Sequence, residues 1–127
     1  MRVACAVISA GDKILVTQRG PKMSLPFMWE FPGGKIEDGE SDEACIIREL
    51  KEELHITVRI TGRLKECTYD YGNISITLVP FLALLMSDSI TLSEHMNYVW
   101  LSHFELKTLD WAPADIEVVE EVLSLYK

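Results

Sequence analysis

Residues 48–54 read Arg48-Glu49-Leu50-Lys51-Glu52-Glu53-Leu54. On a helix, at about 100° per residue, Glu49, Glu52 and Glu53 share an arc of about 100°. Ile46, Ile47, Leu50 and Leu54 fill the neighbouring arc. One face is therefore expected to pack on a core, with an acidic edge beside it. Like charges three and four apart cost about 0.2–0.5 kcal/mol per pair. Two of the glutamates also fall in the last turn, where the helix dipole favours cations. A cluster set against both preferences points to an external positive charge. A hard divalent cation such as Mg²⁺ takes oxygen ligands from carboxylates, water and phosphates. The alternative is a solvated acidic helix face, balanced by Arg48 and Lys51.

Upstream, Ser41 is placed to cap this helix, with Asp42 and Glu43 in its first turn. The helix is expected to end near Leu54. Before it lies a Pro/Gly-rich loop, Gly20 to Gly34, ending Trp29-Glu30-Phe31-Pro32-Gly33-Gly34. Glycines there let bare backbone approach a ligand closely; the alternative is a simple turn.

Further out, strands are expected near 3–9 and 14–19, joined by a hairpin around Gly11. This hairpin reading is preferred to a leader peptide, because Asp12 and Lys13 interrupt the apolar run. Segments 57–71 and 74–86 read as strands around Gly72-Asn73, and 97–101 as another short one. Pro80 predicts that its strand bulges or lies at an edge. Pro113 to Tyr126 reads as a helix whose apolar positions are Ile116, Val119, Leu123 and Tyr126. Trp100 and Trp111 read as core anchors. The mixture of strands and helices, without a strict alternation, favours an α/β fold with a mixed sheet packed between helices.

The chain has 127 residues, 48% of them apolar and 25% charged, which fits one globular domain over 1–127. Twelve basic against twenty acidic residues leave a net charge of −8. That argues against a nucleic-acid polymer as partner, since such binders need a basic stripe. A small anionic substrate held through a metal ion remains compatible. Cys5, Cys45 and Cys67 are too few and too scattered for a disulfide scaffold or a cysteine zinc site, and fit a reducing cytoplasm. No apolar stretch is long enough for a transmembrane helix.

Gly34 is followed after five residues by Glu40, and after seven more by Arg48-Glu49-Leu50, Glu52-Glu53 and Ile56. This spacing resembles the Nudix box of the Nudix hydrolases. His55 stands where that pattern has glycine, just past the helix, where glycine relieves a left-handed backbone. The chain is similar to the MutT-like branch over nearly its whole length. Trp29 to Lys35, Arg19, Glu94 ahead of Trp100, and Pro113-Ala114-Asp115 carry that similarity.

The resemblance implies a Nudix-type α/β/α sandwich. It also implies a Mg²⁺-dependent pyrophosphohydrolase, with Mn²⁺ as a substitute, that splits a nucleoside triphosphate into monophosphate and pyrophosphate. By the resemblance, the Gly33 carbonyl, Glu49, Glu52 and Glu53 ligate metal, with Glu94 as a further candidate. Either Glu53 or Glu94 takes the proton from the attacking water. Arg48 orients a helix glutamate, unless it makes only an ordinary pair with Glu52. Glu40 braces its loop. Arg19 and Lys35 face the phosphates, or are plain surface charge. Among Phe27, Trp29, Phe31, Tyr69 and Tyr71, Tyr71 is the favoured base-stacking residue. His55, His95 and His103 read as structural or surface residues.

Asp115 either reads the base or caps the last helix. An ionised carboxylate only accepts hydrogen bonds, which suits an exocyclic amino group, as on cytosine N4 or adenine N6, and a (deoxy)cytidine or modified-base triphosphate is the favoured substrate. An 8-oxo-dGTP sanitising enzyme is the competing reading. A non-catalytic nucleotide sensor on the same scaffold is the reading from a different class. No membrane partner is expected, and either a monomer or a homodimer fits.

Overall fold

The computed structural model describes Met1–Tyr126. Strand β1 (Arg2–Ala10) alternates cleanly between two environments. Ala4, Ala6 and Ile8 face one apolar cluster, and Cys5 and Val7 face another. A strand with apolar residues on both faces has to lie inside a sheet covered on both sides. Here β1 pairs in parallel with β7 (Ser75–Leu85), from Arg2 opposite Thr77 to Ser9 opposite Leu84. It also pairs antiparallel with β2 (Lys13–Gln18), through a turn at Gly11, where φ is +62°. The path through the mixed sheet runs β3 (Trp29–Glu30), β2, β1, β7, β5 (Val58–Arg63). The short β4 (Gly33–Lys35) pairs with β1, β6 (Cys67–Asp70) with β7, and β8 (Asn97–Leu101) with β2.

Helix α1 (Asp42–Leu54) covers one face, burying Cys45, Ile46, Leu50 and Leu54 against β1, β2 and β7. Ser41 caps it through a bond from the Ala44 N–H to Oγ. His55 ends it in the left-handed region at φ 57°, ψ 38°, the conformation expected of the position where the family pattern has glycine. Ile47 departs from expectation: it is exposed, and Cys45 takes its place in the core. Helix α2 (Ile116–Ser124) covers the other face, with Val118, Val119 and Val122 packed beside Leu106 and Trp111. The α/β/α sandwich is therefore the observed architecture.

Other expectations are corrected. The segment 57–71 is two strands, not one, with residues 64–66 between them. Pro80 lies neither at an edge nor at a bulge of its own strand; it is buried in central β7, opposite Cys5. Its carbonyl accepts from the Leu64 N–H in the gap between β5 and β6, so the missing donor faces a break in the ladder. The irregularity sits instead in β5, between Ile60 and Gly62. Pro113–Asp115 forms a 3₁₀ turn ahead of α2, and a second 3₁₀ segment spans His103–Thr108. Of the apolar positions expected in the last helix, Val119 is buried and Leu123 packs against the same cluster, whereas Ile116 and Tyr126 are half exposed and Val118 and Val122 complete the buried face. Trp111 is a core residue, while Trp100 is only partly buried on the α1 side.

Candidate active site

A cleft of about 590 Å³ opens where β4, the C-terminal half of α1, the β7–β8 connection and the Ala112–Asp115 turn meet. One end is acidic, formed by Gly33, Gly34, Glu49, Glu53 and Glu94. Its apolar lining includes Val3, Leu25, Ile74, Ile76 and Tyr71. Arg19, Lys35 and Asp115 also line it.

The acidic end is built by close packing of β4 on its neighbours. A Cβ at Gly33 would lie 1.9 Å from the Ala4 carbonyl oxygen of β1. A Cβ at Gly34 would lie 2.2 Å from the carboxyl carbon of Glu49. Glycine is thus required here for close approach rather than for an unusual φ. Glu49 is then fixed from behind, where its Oε1 accepts from Arg48 Nη1 at 2.9 Å. The same guanidinium donates to Glu40 at 2.6 and 3.0 Å, to Glu52 at 3.2 Å and to the Lys35 carbonyl at 3.3 Å. Arg48 therefore makes both its ordinary helix pair and an orienting contact with Glu49. Glu40 in turn accepts from the Glu37 N–H, which braces its loop. These bonds hold the Glu40 carboxyl down at about 2.

Burial pushes Glu49 above the ordinary carboxyl range, partly offset by Arg48. Glu53 is pushed up by burial first and by the nearby Glu94 second. Its Oε2 is buried without a hydrogen-bond partner. An unpartnered carboxylate oxygen beside another acid is unfavourable unless a cation joins it. The donors at this end are oxygens, the class Mg²⁺ prefers. The residues therefore fit a hard divalent ion.

The expected ligand set is not fully convergent. Glu52 is exposed and turned towards Arg48, along a second depression of about 370 Å³ that does not include Glu49 or Glu53. Among the described residues, no group of three or more His, Cys, Asp or Glu side chains is gathered as a ready metal cluster. Glu49, Glu53, Glu94 and Gly33 share the cleft; Arg48 and Glu52 flank it.

Arg19 does not stand free for a ligand. Nη1 donates to Glu30 Oε1 at 2.7 Å, and Nη2 to Ser24 Oγ at 2.9 Å. Nε donates to the Ser24 carbonyl. The loop that it ties carries two bulky residues with positive φ, Leu25 at 48° and Phe27 at 69°. Lys35 is exposed at the cleft rim.

Asp115 is 5% exposed, and its Oδ2 accepts from the Phe31 N–H at 2.9 Å. It makes no capping bond to α2, so the helix-cap alternative is not the one used. Burial, reinforced by Glu30, raises its carboxyl well above the ordinary value. Tyr71 lies beside it, its hydroxyl accepting from the Ala114 N–H at 3.0 Å. That leaves the hydroxyl proton free to donate. Of the other aromatic candidates, Phe31 is consumed by the core, 4.8 Å from Trp111.

Two residues were given no role at the site by sequence reasoning, Glu30 and His95. Glu30 bridges Arg19 and His95, accepting or sharing a 2.8 Å bond with His95 Nε2. His95, read from the sequence as a structural or surface residue, is buried beside the carboxylates. Glu30 stands 65 positions from His95, so no local pattern announces the pair.

The NUDIX domain family model matches residues 1–122. The CTP pyrophosphohydrolase of Escherichia coli K12 is 31% identical over 98% of this chain and 93% of its own. The 8-oxo-dGTP diphosphatase of the same organism is 29% identical over 98% of each. A solution structure of MutT from methicillin-resistant Staphylococcus aureus 252 superposes with a TM-score of 0.78, at 39% identity, over 97% of this chain and 95% of that one. With its fold and glutamate-bearing cleft, the chain belongs to the Nudix hydrolase family. It is a MutT-like Nudix nucleotide pyrophosphohydrolase.

Proposed function

We propose that this chain, as one catalytic domain over 1–127, hydrolyses a (deoxy)cytidine or modified-base nucleoside triphosphate to the monophosphate and pyrophosphate, with Mg²⁺ as cofactor and Mn²⁺ as a substitute. The lining around Tyr71 and Asp115 takes the base and the acidic end the phosphates. The Gly33 carbonyl, Glu49, Glu53 and Glu94 would hold the ion, with Glu52 recruited from the flank. When bound, the ion neutralises phosphate oxygens and lowers the pKa of a coordinated water. Arg48 keeps Glu49 aimed into the cleft through a charged hydrogen bond. Glu53 accepts the proton of the attacking water, with Glu94 as the alternative base. Lys35 at the rim, and Arg19 once released from Ser24, meet phosphate charge.

Buried Asp115 carries the substrate assignment. Its raised pKa favours the neutral acid, which donates through one oxygen and accepts through the other. That pair complements an adjacent amino donor and ring-nitrogen acceptor, as on the N4 and N3 edge of cytosine or the N6 and N1 edge of adenine, and the panel's adenine nucleotides separate the two. The same acid also complements the N7–H and O6 edge of an 8-oxoguanine, whereas the N7 and O6 of ordinary guanine are both acceptors. This favours 8-oxo-dGTP as the second reading.

Pyrophosphate release with Mg²⁺ across NTPs, dNTPs, 5-substituted dCTPs and 8-oxo-dGTP tests both. A kcat/KM preference for cytosine nucleotides is expected. Preference for 8-oxo-dGTP selects the second reading, and preference for ordinary dGTP removes the Asp115 argument. Glu53→Gln is the control, with kcat expected to fall about 10²–10⁴-fold.

A further inference from the structure

Among the described residues, two buried side-chain nitrogen or oxygen atoms lack a hydrogen-bond partner, Glu53 Oε2 and His95 Nδ1. They face one another at 4.0 Å. Buried polar atoms are almost always paired, so two orphans facing each other are an anomaly that packing alone does not require. The His95 side chain is only 2% exposed. Its other nitrogen, Nε2, is fixed by Glu30 Oε2 at 2.8 Å, and Glu30 Oε1 is fixed by Arg19 at 2.7 Å. The ring is therefore held from the β3 side and presents its free edge to Glu53.

The segment around His95 is pinned as well. The Ser93 N–H and Oγ donate to the Glu53 and Glu52 carbonyls at 3.1 and 2.8 Å, and the Met96 N–H to the Gln18 carbonyl at 3.0 Å. Gly20 lies so close to the Glu94 carbonyl that a Cβ there would be 2.8 Å from it. The backbone of Glu94 is thus clamped between α1 and the end of β2, with the His95 ring as the bolt into β3.

We infer that Glu30 and His95 are positioning residues that set the Glu53 and Glu94 carboxylates at the acidic end of the cleft. The inference rests on the reading of Glu53 and Glu94 as the working acids. Neither His95 nor Glu30 touches the reacting atoms in this scheme. Each acts through the acids, as outer partners of metal-binding carboxylates do.

The test uses His95→Phe, which keeps the buried ring but removes both nitrogens, His95→Gln, which keeps a polar reach towards Glu30, and Glu30→Gln. Two quantities are read: kcat and KM on dCTP with Mg²⁺, and the Kd of Mn²⁺ for the nucleotide-free protein by calorimetry. For His95→Phe, kcat is expected to fall and the Mn²⁺ Kd to rise by about 10-fold or more, with KM little changed. His95→Gln should recover most of both. Parent-like kcat and Mn²⁺ Kd in a folded His95→Phe protein overturn the inference. So does a common loss in His95→Phe and His95→Gln that tracks a fall in Tm. Should His95→Phe not fold, Glu30→Gln decides: a drop in kcat at constant KM and Tm supports the brace, and parent behaviour removes it. A parent protein inactive on dCTP, whose Mn²⁺ affinity still responds to His95, refutes the substrate reading while supporting the brace. An active parent matched by its variants does the reverse.

Discussion

Asp115 is a carboxyl placed where a carboxylate is costly. It is buried, beside Glu30, and among the described residues its carboxyl accepts one hydrogen bond, from a backbone N–H. Its folded pKa lies well above the ordinary 3.8, so the folded state holds a proton that the unfolded chain has released. Stability from this group is therefore complete below about 3.8 and is lost as pH rises towards its folded value. Asp115→Asn cannot ionise and still offers an oxygen to the Phe31 N–H. In a Tm series from pH 4 to 8, the parent should lose ground steadily to the variant as pH rises. Parallel curves would mean that Asp115 is not held protonated, and the donor–acceptor argument for base choice would go with it. On activity, Asn keeps one donor and one acceptor, so cytosine and 8-oxoguanine substrates should both survive, with the pH dependence of their KM flattened.

At the scale of elements, the decisive contact is β4 against β1 on one side and α1 on the other. Its two glycines differ in what they meet. Gly33 faces the backbone of Ala4, which cannot move without parting the strands. Gly34 faces the end of a glutamate side chain, which can swing. Gly33→Ala is therefore expected to destabilise by at least about 1–3 kcal/mol, read in chemical denaturation. Gly34→Ala should stay within about 1 kcal/mol of the parent yet lose activity, because Glu49 is pushed from its place. Equal losses of stability in both would contradict the distinction. The glycine pair and α1 were legible in the sequence because their signals are local: a cap at Ser41, an acidic arc, a stop at His55. Strands β3 and β4 were not, since two- and three-residue strands exist only through their partners in β1 and β2. The same holds for the brace. His95 carries no motif, and its partner Glu30 was visible only as a letter in the loop before the glycines. Pro80 misled because a proline in a central strand is normally excluded, yet here the break between β5 and β6 opposes its nitrogen.

For the whole molecule, the relevant quantity is charge. The chain carries −8, and its cleft concentrates Glu49, Glu53 and Glu94 at one end. Its proposed substrate is a polyanion, so protein and ligand repel at long range. Monovalent salt weakens that repulsion but cannot sit between the buried oxygens, because screening acts poorly on groups removed from water. A divalent ion at the acidic end acts on both terms. It partners the Glu53 carboxylate and cancels local repulsion, and so stabilises the folded chain by an amount that grows with the logarithm of its free concentration above Kd. At a free concentration 100 times its Kd, one such site adds about 2.7 kcal/mol. For a domain of this size, that is a rise of roughly 10 °C in Tm. The expected result is a Tm that climbs with Mg²⁺ or Mn²⁺ beyond the effect of NaCl at equal ionic strength, and falls back on adding EDTA. Glu53→Gln should raise the metal-free Tm slightly, since a neutral amide relieves the crowded acid, and should lose most of the divalent-specific increment. A Tm that tracks ionic strength alone, in parent and variant alike, would place the effect in general screening and leave the acidic end without a resident ion.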